Sequence, residues 1–323
     1  MKMDDTKRNN IQILRGIAII AVVFIHNTPN GLPQILCRPF LNFSVGLFIF
    51  LSGMLSNVEK WNPRKRITKV VIPYIIWTLV YVVMYHYKNL SAIPVAYIKA
   101  LLTGNAAAIM YYIFVYCEFT LLIPLIDRLA RSKYRYLGFL ISPVEIIFMR
   151  LIPLITGYEM NSYIRVLMGI SCLGWFTYYY LGYMLGNGLI RLKSSTPILI
   201  GYWVTAIILQ IAEGFWYFSM GESNCGTQVK LTSILAGSFF MMLTYRFLES
   251  SKKYDIKFLK LLGDCSFGVY FSHLAVMTVL GHIPYYADFV FYPLNAVLAI
   301  ILSLICVLLG RKILGKYAKY LAL

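Results

Sequence analysis

Charged residues are scarce in this chain, and their scarcity excludes an ordinary soluble fold. They make up 13% of the 323 residues, whereas hydrophobic residues make up 59% and the mean hydropathy is +0.69. A soluble domain carries about 25% charged residues, so a surface this poor in charge does not suit water. We therefore predict an all-α polytopic membrane protein with the lipid bilayer as its main partner, because only helices span lipid in runs this apolar.

Acidic residues and cysteines are also few. Thirteen acidic residues against 30 basic ones give a net charge of +17. The basic residues separate long apolar runs instead of forming one soluble face, which argues against nucleic acid as a partner. The six cysteines show neither CxxC nor metal-ligand spacing, so no metal is expected. A disulfide between Cys37 and Cys225, both near the predicted outer side, stays open.

Well-known motifs of soluble enzymes are absent as well. The chain has no GxSxG, HExxH or P-loop pattern, so soluble hydrolase, zinc-protease and nucleotidase functions lack support.

Long apolar runs are what the sequence does contain. About ten of them approach the ~20 residues that cross a bilayer. We predict one membrane domain over residues 1–323, with a short N-terminal segment at 1–10, helices over about 11–310, a basic tail at 311–323 and no further soluble domain. The predicted spans are 11–28, 39–57, 70–87, 106–127, 135–155, 164–188, 196–219, 229–248, 262–283 and 289–310.

The distribution of basic residues predicts the orientation. With a cytosolic N-terminus, twenty-four of the 30 lysines and arginines fall in inner segments. This bias predicts a multi-pass cell-membrane protein with both termini in the cytosol. The outer positions hold only Arg38, Lys88, Lys99, Arg150, Arg165 and Lys230.

Arg15 and His26 are the most informative polar residues. Eleven residues at 100° each return to within ~20° of the same helix face, ~16 Å further along the axis. An anionic ligand bound by Arg15 could extend toward His26, which is suited to act as a general base. The alternatives are a lipid anchor for Arg15 and an interhelical hydrogen bond for His26.

Arg66 and Lys69 lie one turn apart at the cytosolic start of the third predicted span. Clustered cations there suit a polyphosphate ligand such as coenzyme A. Membrane topology alone also produces such basic clusters, so this alternative stays open.

A third set of polar residues lies in the ninth predicted span. Ser266, Tyr270 and His273 are spaced i, i+4, i+7 and share a helix face, where they either line a cavity for an acceptor or bond neighbouring helices.

Two intramembrane acids are candidates to orient His26. Either Glu118 or Glu145 could do so, as a carboxylate orients a catalytic imidazole. Glu145 could instead pair with Arg150.

Several of these segments together resemble the membrane acyltransferase-3 family. The Arg15-x10-His26 spacing is similar to its signature, and Arg66-x-x-Lys69-x-x-x-Pro73-Tyr74 resembles its basic third-helix entrance. FIFLSGM at 48–54, YLGY at 180–183 and SFGVYFSH at 266–273 are similar to its other conserved stretches.

The resemblance implies O-acyl transfer, often acetyl, from a cytosolic acyl-CoA to a hydroxyl of a cell-envelope sugar or glycolipid in a bacterial plasma membrane. It assigns His26 as the base or a transient acyl carrier, Arg15 to donor binding, and Arg66 and Lys69 to the phosphates of acetyl-CoA or another acyl-CoA. Some members add an extracytoplasmic esterase-like domain, so a separate extracytoplasmic transferase or synthase partner is a further expectation.

Two other functions remain as alternatives. One is a transporter or exporter of a small metabolite or glycan on the same bundle. The other is a structural partner of a polysaccharide synthase. Only a transferase consumes acyl-CoA.

Overall fold

The computed structural model describes residues 5–250, 252–283 and 292–323, which contain helices and no strand. Residues 1–4 of the predicted N-terminal segment and 289–291 of the last predicted span lie outside this part. The α-helices, in chain order, are α1 Asp5–Asn27, α2 Leu32–Cys37, α3 Phe43–Met54, α4 Pro63–His86, α5 Ile93–Thr103, α6 Tyr111–Arg131, α7 Ile141–Ile146, α8 Ile152–Thr156, α9 Ser162–Gly169, α10 Phe176–Gly186, α11 Thr196–Ser219, α12 Leu231–Glu249, α13 Lys257–Leu280 and α14 Leu294–Leu314.

The predicted class, an all-α polytopic membrane protein, is confirmed. Seven helical segments of the described chain are long and apolar enough to cross a membrane. They are Asp5–Asn27, Leu32–Met54, Pro63–His86, Arg135–Thr156, Thr196–Ser219, Leu231–Glu249 and Leu294–Leu321.

Two further helices have sufficient length but are less apolar. α6 has 21 residues and α13 has 24. Glu118 and Asp127 lie in α6, and α13 carries Asp264 and His273, which lowers their hydropathy. The number of crossings, about ten from the sequence, stays a prediction.

The predicted span 164–188 is not one helix. α9 ends at Gly169 and α10 begins at Phe176. The Cys172 N–H donates to Glu118 Oε2 at 2.6 Å, and Ser142 Oγ donates to the Leu173 carbonyl at 2.8 Å. Side chains therefore bond the backbone groups that a continuous helix would pair internally.

The chain divides into two compact units, and the first comprises Met1–Lys60, Ile123–Glu159 and Leu173–Ser266. Its main contacts join α3 to α10, α11 to α12, and α1 to α3. A Cβ atom at Gly182 would collide with the Phe50 carbonyl oxygen, so α3 and α10 approach backbone to backbone. Small residues allow such close packing between membrane helices.

The second unit comprises Trp61–Leu122, Met160–Cys172 and Phe267–Leu323. α4 packs against α5 and against a 3₁₀ turn at Gly315–Leu321. Trp77 Nε1 donates to the Leu321 carbonyl at 3.0 Å, and the Tyr81 hydroxyl donates to the Phe271 carbonyl at 2.6 Å. Part of the segment predicted as a basic tail is therefore packed against a helix.

Candidate active site

Helix α1 carries Arg15 and His26, as the sequence predicts. It begins with an acidic first turn at Asp5 and ends at Asn27, two residues before Pro29. Both side chains are half-buried, and eleven helical residues place them on one face ~16 Å apart along the axis. Arg15 Nη1 lies 3.4 Å from Gln12 Oε1, to which it donates.

The turn of α1 that holds Arg15 lies directly against the start of α13. A Cβ atom at Gly16 would collide with the Leu259 carbonyl oxygen, and one at Gly263 would collide with the Gln12 carbonyl oxygen. These glycines therefore permit backbone contact between the two helices within the first unit. This contact holds the turn of α1 that carries Arg15 against α13.

Arg66 and Lys69 lie in the first two turns of α4, in the second unit. Pro63 occupies the first turn of the helix, and the side chain of Asn62 accepts a hydrogen bond from the Lys65 N–H at 3.1 Å. Arg66 is half-buried and Lys69 is exposed. This placement agrees with a basic helix entrance, while binding of coenzyme A there stays a prediction.

The two candidate carboxylates are in different surroundings. Glu118, in α6 of the second unit, uses Oε2 to accept from the Cys172 N–H. Glu145, in α7 of the first unit, has a buried Oε2 with no hydrogen-bond partner among the described residues. The described ion pairs do not include a pair between Glu145 and Arg150.

Helix α13 holds Ser266, Tyr270 and His273, all buried. The Tyr270 hydroxyl donates to the Ile109 carbonyl, and His273 Nδ1 lies 3.0 Å from the Val269 carbonyl oxygen. The Tyr270 hydroxyl thus bonds the turn before α6, and the lining of an acceptor cavity by these three residues stays a prediction.

Sequence reasoning missed a cluster of polar residues in the first unit. Arg150 and Lys230 both lie close to the ring of Tyr217, with 5.9 Å from Arg150 Cζ and 5.8 Å from Lys230 Nζ to the ring centroid. In the sequence both cations counted as outer positive charges, and Arg150 also as an alternative partner of Glu145. The available signal was a lysine beside an apolar run, since a cation there needs a partner.

Burial changes the acid–base properties of the connection between α11 and α12. Lys230 precedes α12, and desolvation lowers its pKa to about 8. The nearby Glu213 carboxylate opposes this pKa shift, whereas Arg150 adds to it.

The cysteines in this part of the chain are not cross-linked. Cys37 and Cys225 are both free thiols, so the disulfide that the sequence left open is not formed. Cys225 Sγ donates to the Glu222 carbonyl at 2.7 Å. The described residues hold no group of three or more metal-ligating side chains.

The fold and the first helix together define a polytopic helical membrane protein with an Arg–His face. Residues 8–311 match the family model described as an acyltransferase domain. The chain belongs to the acyltransferase 3 family, and it is a membrane acyltransferase. No curated protein and no solved structure shows a significant match.

Proposed function

We propose that this acyltransferase moves an acyl group, acetyl in the first instance, from cytosolic acyl-CoA to a hydroxyl of a cell-envelope saccharide. The observation that carries the proposal is the pair Arg15 and His26 on one face of α1, inside a chain that matches the family over residues 8–311. Transfer of an acyl group from a thioester requires an activated nucleophile and neutralisation of charge, and both residues have suitable chemistry.

His26 is the proposed base. Its imidazole takes the proton from the acceptor hydroxyl as that oxygen attacks the thioester carbonyl carbon. The carbon–sulfur bond then breaks, and the coenzyme A thiolate leaves and receives the proton. The resemblance also allows a two-step route, in which His26 nitrogen first holds the acyl group and the acceptor hydroxyl removes it.

The cations bind different parts of the acyl donor. Arg15 binds the donor near the reacting group, and Arg66 and Lys69 bind coenzyme A phosphates. No metal enters this proposal. With both termini in the cytosol of a bacterial plasma membrane, the His26 end of α1 is extracytoplasmic. A separate extracytoplasmic transferase or synthase is then the alternative recipient of the acyl group in place of the free glycan.

Isotope transfer tests this proposal. Purified protein in nanodiscs is incubated with acetyl-labelled acetyl-CoA and crude envelope glycans, and mild alkali then releases label held as an ester. Label in the glycan fraction supports O-acyl transfer. Label that stays on the protein after rapid desalting at neutral pH, that hydroxylamine releases and that His26→Ala removes, would identify the carrier route. Label that stays in coenzyme A with every acyl donor, together with glycan uptake into proteoliposomes, would favour a transporter.

A further inference from the structure

The connection between α11 and α12 is bonded to the chain that follows α1. Gln34 Oε1 accepts from the Gly226 N–H at 3.0 Å. Asn42 Nδ2 donates to the carbonyls of Gly226 and Thr227 at 3.2 and 3.3 Å. Because α1 ends at Asn27, a few residues before these contacts, the connection lies at the same end of the first unit as His26.

Lys230 is a buried cation at this end. It is 1% exposed, and its Nζ donates to the carbonyls of Cys225 at 2.9 Å and Gln210 at 3.2 Å. Within the part of the chain that the structure describes, no carboxylate forms an ion pair with it. A buried ammonium group is destabilising unless an opposite charge compensates it. The Glu213 carboxylate acts on Lys230 without forming a contact ion pair, so an anion in direct contact would stabilise the ammonium group further.

Arg150 brings a second cation to the same place. It lies in a π-helical turn, Ile147–Leu151, between α7 and α8. Such turns occur frequently at functional sites. Its Nη1 donates to Thr227 Oγ1 at 3.1 Å, and its buried Nε finds no acceptor among the described residues. Arg150 is half-buried, so it is more accessible than Lys230.

Tyr217 lies close to both cations, and its hydroxyl also has an unmet hydrogen-bonding capacity. The side chain is 0% exposed, and its hydroxyl has no hydrogen-bond partner in the described chain. The nearby Glu213 carboxylate bonds a different residue, because its Oε2 accepts hydrogen bonds from the N–H and the hydroxyl of Thr232. Two cations and a hydroxyl therefore have unused capacity to donate hydrogen bonds, which is the chemistry that binds anionic oxygens.

We propose that Arg150 and Lys230, with the Tyr217 hydroxyl, bind an anionic group of the acceptor. Arg150, the more accessible of the two cations, contacts the anion with its planar fork of donors, and the more deeply buried Lys230 contributes its charge. The anion is a carboxylate of an acidic sugar or a phosphate that links the sugar to its carrier. The acceptor in this proposal rests on the proposed acyl transfer, whereas the anion site itself does not.

Binding without acyl-CoA tests the site separately from catalysis. The probes are a fluorescent oligogalacturonate, its fully methyl-esterified and therefore neutral form, and glucose 1-phosphate against glucose as competitors. The proteins in nanodiscs are wild type, Arg150→Gln, Arg150→Lys, Lys230→Met and His26→Ala. Arg165→Gln is the matched control, because Arg165 is an exposed arginine that bonds only the Met160 carbonyl among the contacts described.

We expect wild type, His26→Ala and Arg165→Gln to prefer the charged probe over its neutral form. Arg150→Gln and Lys230→Met should each weaken charged-probe binding about tenfold, since a hydrogen bond to a charged group has that magnitude. Neutral-probe binding should not change, and Arg150→Lys should restore part of the loss.

Competition identifies the source of the anion. Glucose 1-phosphate that displaces the probe at lower concentration than unlabelled oligogalacturonate does would assign a phosphate, and the reverse order would assign a sugar carboxylate. Equal binding of charged and neutral probes, or full affinity in Arg150→Gln and Lys230→Met, would overturn the site. Charge-selective binding without any acyl transfer would keep the site and refute the transferase proposal.

Discussion

Two sets of polar residues lie at opposite ends of the first unit and differ in how completely their hydrogen bonds are formed. In the Asp127 network, Asp127 Oδ1 accepts from the Tyr183 hydroxyl at 2.7 Å and from Arg131 Nε at 2.9 Å. In the Lys230 cluster (Arg150, Tyr217 and Lys230), the tyrosine hydroxyl and one guanidinium nitrogen have no partner in the described chain.

Helix α3 shows that the ends are opposite. Asn42, directly before α3, bonds the connection that leads to Lys230. Met54, the last residue of α3, lies against Gly186, three residues from Tyr183. A network with every charge paired is explained by stability alone, whereas a buried set with unused donors requires another explanation. We therefore attribute the Asp127 network to stability and the Lys230 cluster to the proposed binding of an anion.

The largest expected effect comes from breaking the contact that holds the Asp127 network in place. Gly182→Val puts side-chain atoms into the Phe50 carbonyl and near the Met54 N, at 3.0 Å from a Cβ. Overpacking at a backbone contact should destabilise by about 3 kcal/mol. Thermal unfolding in detergent measures this.

Gly201→Ala is the matched control, because a Cβ at this position in α11 meets nothing within 4 Å. It should leave stability unchanged or slightly raise it. Equal stability of both variants would contradict the close packing of α3 and α10.

Removing the Asp127 carboxylate should have the next largest effect on stability. Asp127→Ala leaves the buried Tyr183 hydroxyl without its acceptor, at a cost of about 2 kcal/mol. Activity per folded molecule should stay at the wild-type level. Asp5→Ala is the control, since its pair with Arg8 is 3.8 Å long and Asp5 is 91% exposed. A large loss of activity at constant stability would give the Asp127 network a role in function.

Binding of the charged probe at the Lys230 cluster should depend on pH. Because burial lowers the pKa of Lys230 to about 8, this group loses its proton between pH 7 and 9. Only the protonated form attracts an anion, so charged-probe affinity should fall as the pH rises through about 8. Glu213 and Arg150 act on the same group, and Cys225 has a pKa raised by burial.

Lys230→Met identifies the residue behind this pH dependence. The variant should bind the charged probe about tenfold more weakly at pH 7 and lose the fall above it. Its stability should be near wild type, because a well-packed apolar group replaces a buried charge at little cost. A pH profile identical to wild type would assign the titration to another group.

The smallest effect separates the two tyrosines. Tyr183→Phe removes a hydrogen bond to a carboxylate and should cost about 1 kcal/mol. Tyr217→Phe removes a hydroxyl with no protein partner, so its stability should stay within about 0.5 kcal/mol of wild type. Unfolding temperatures of the two variants in one detergent make the test, and equal losses would show that Tyr217 is also part of a closed network.

Local features of the sequence predicted a large part of this structure. α1, with Arg15 and His26 on one face, follows from helical periodicity. The basic start of α4 follows from the cations that precede the third apolar run, although α4 begins at Pro63 and not at residue 70. These features depend on neighbours in sequence, which is why they could be read without coordinates.

Contacts between distant segments could not be predicted in the same way. The break between α9 and α10 depends on Glu118 bonding the Cys172 N–H. The Lys230 cluster joins residues from α11, the connection before α12 and a π-helical turn. Neither arrangement leaves a periodic signal, because hydrophobic periodicity reports only the face that a helix buries.

Release of free coenzyme A thiol from acetyl-CoA, with envelope glycans as acceptor, tests most directly whether His26 acts as the general base of acyl transfer. Wild type is compared with His26→Ala and with His282→Ala, an exposed histidine after α13. We expect His26→Ala to lower turnover at least about 100-fold, in line with removal of a general base. We expect wild-type turnover for His282→Ala, and equal turnover in all three proteins would remove His26 from the mechanism.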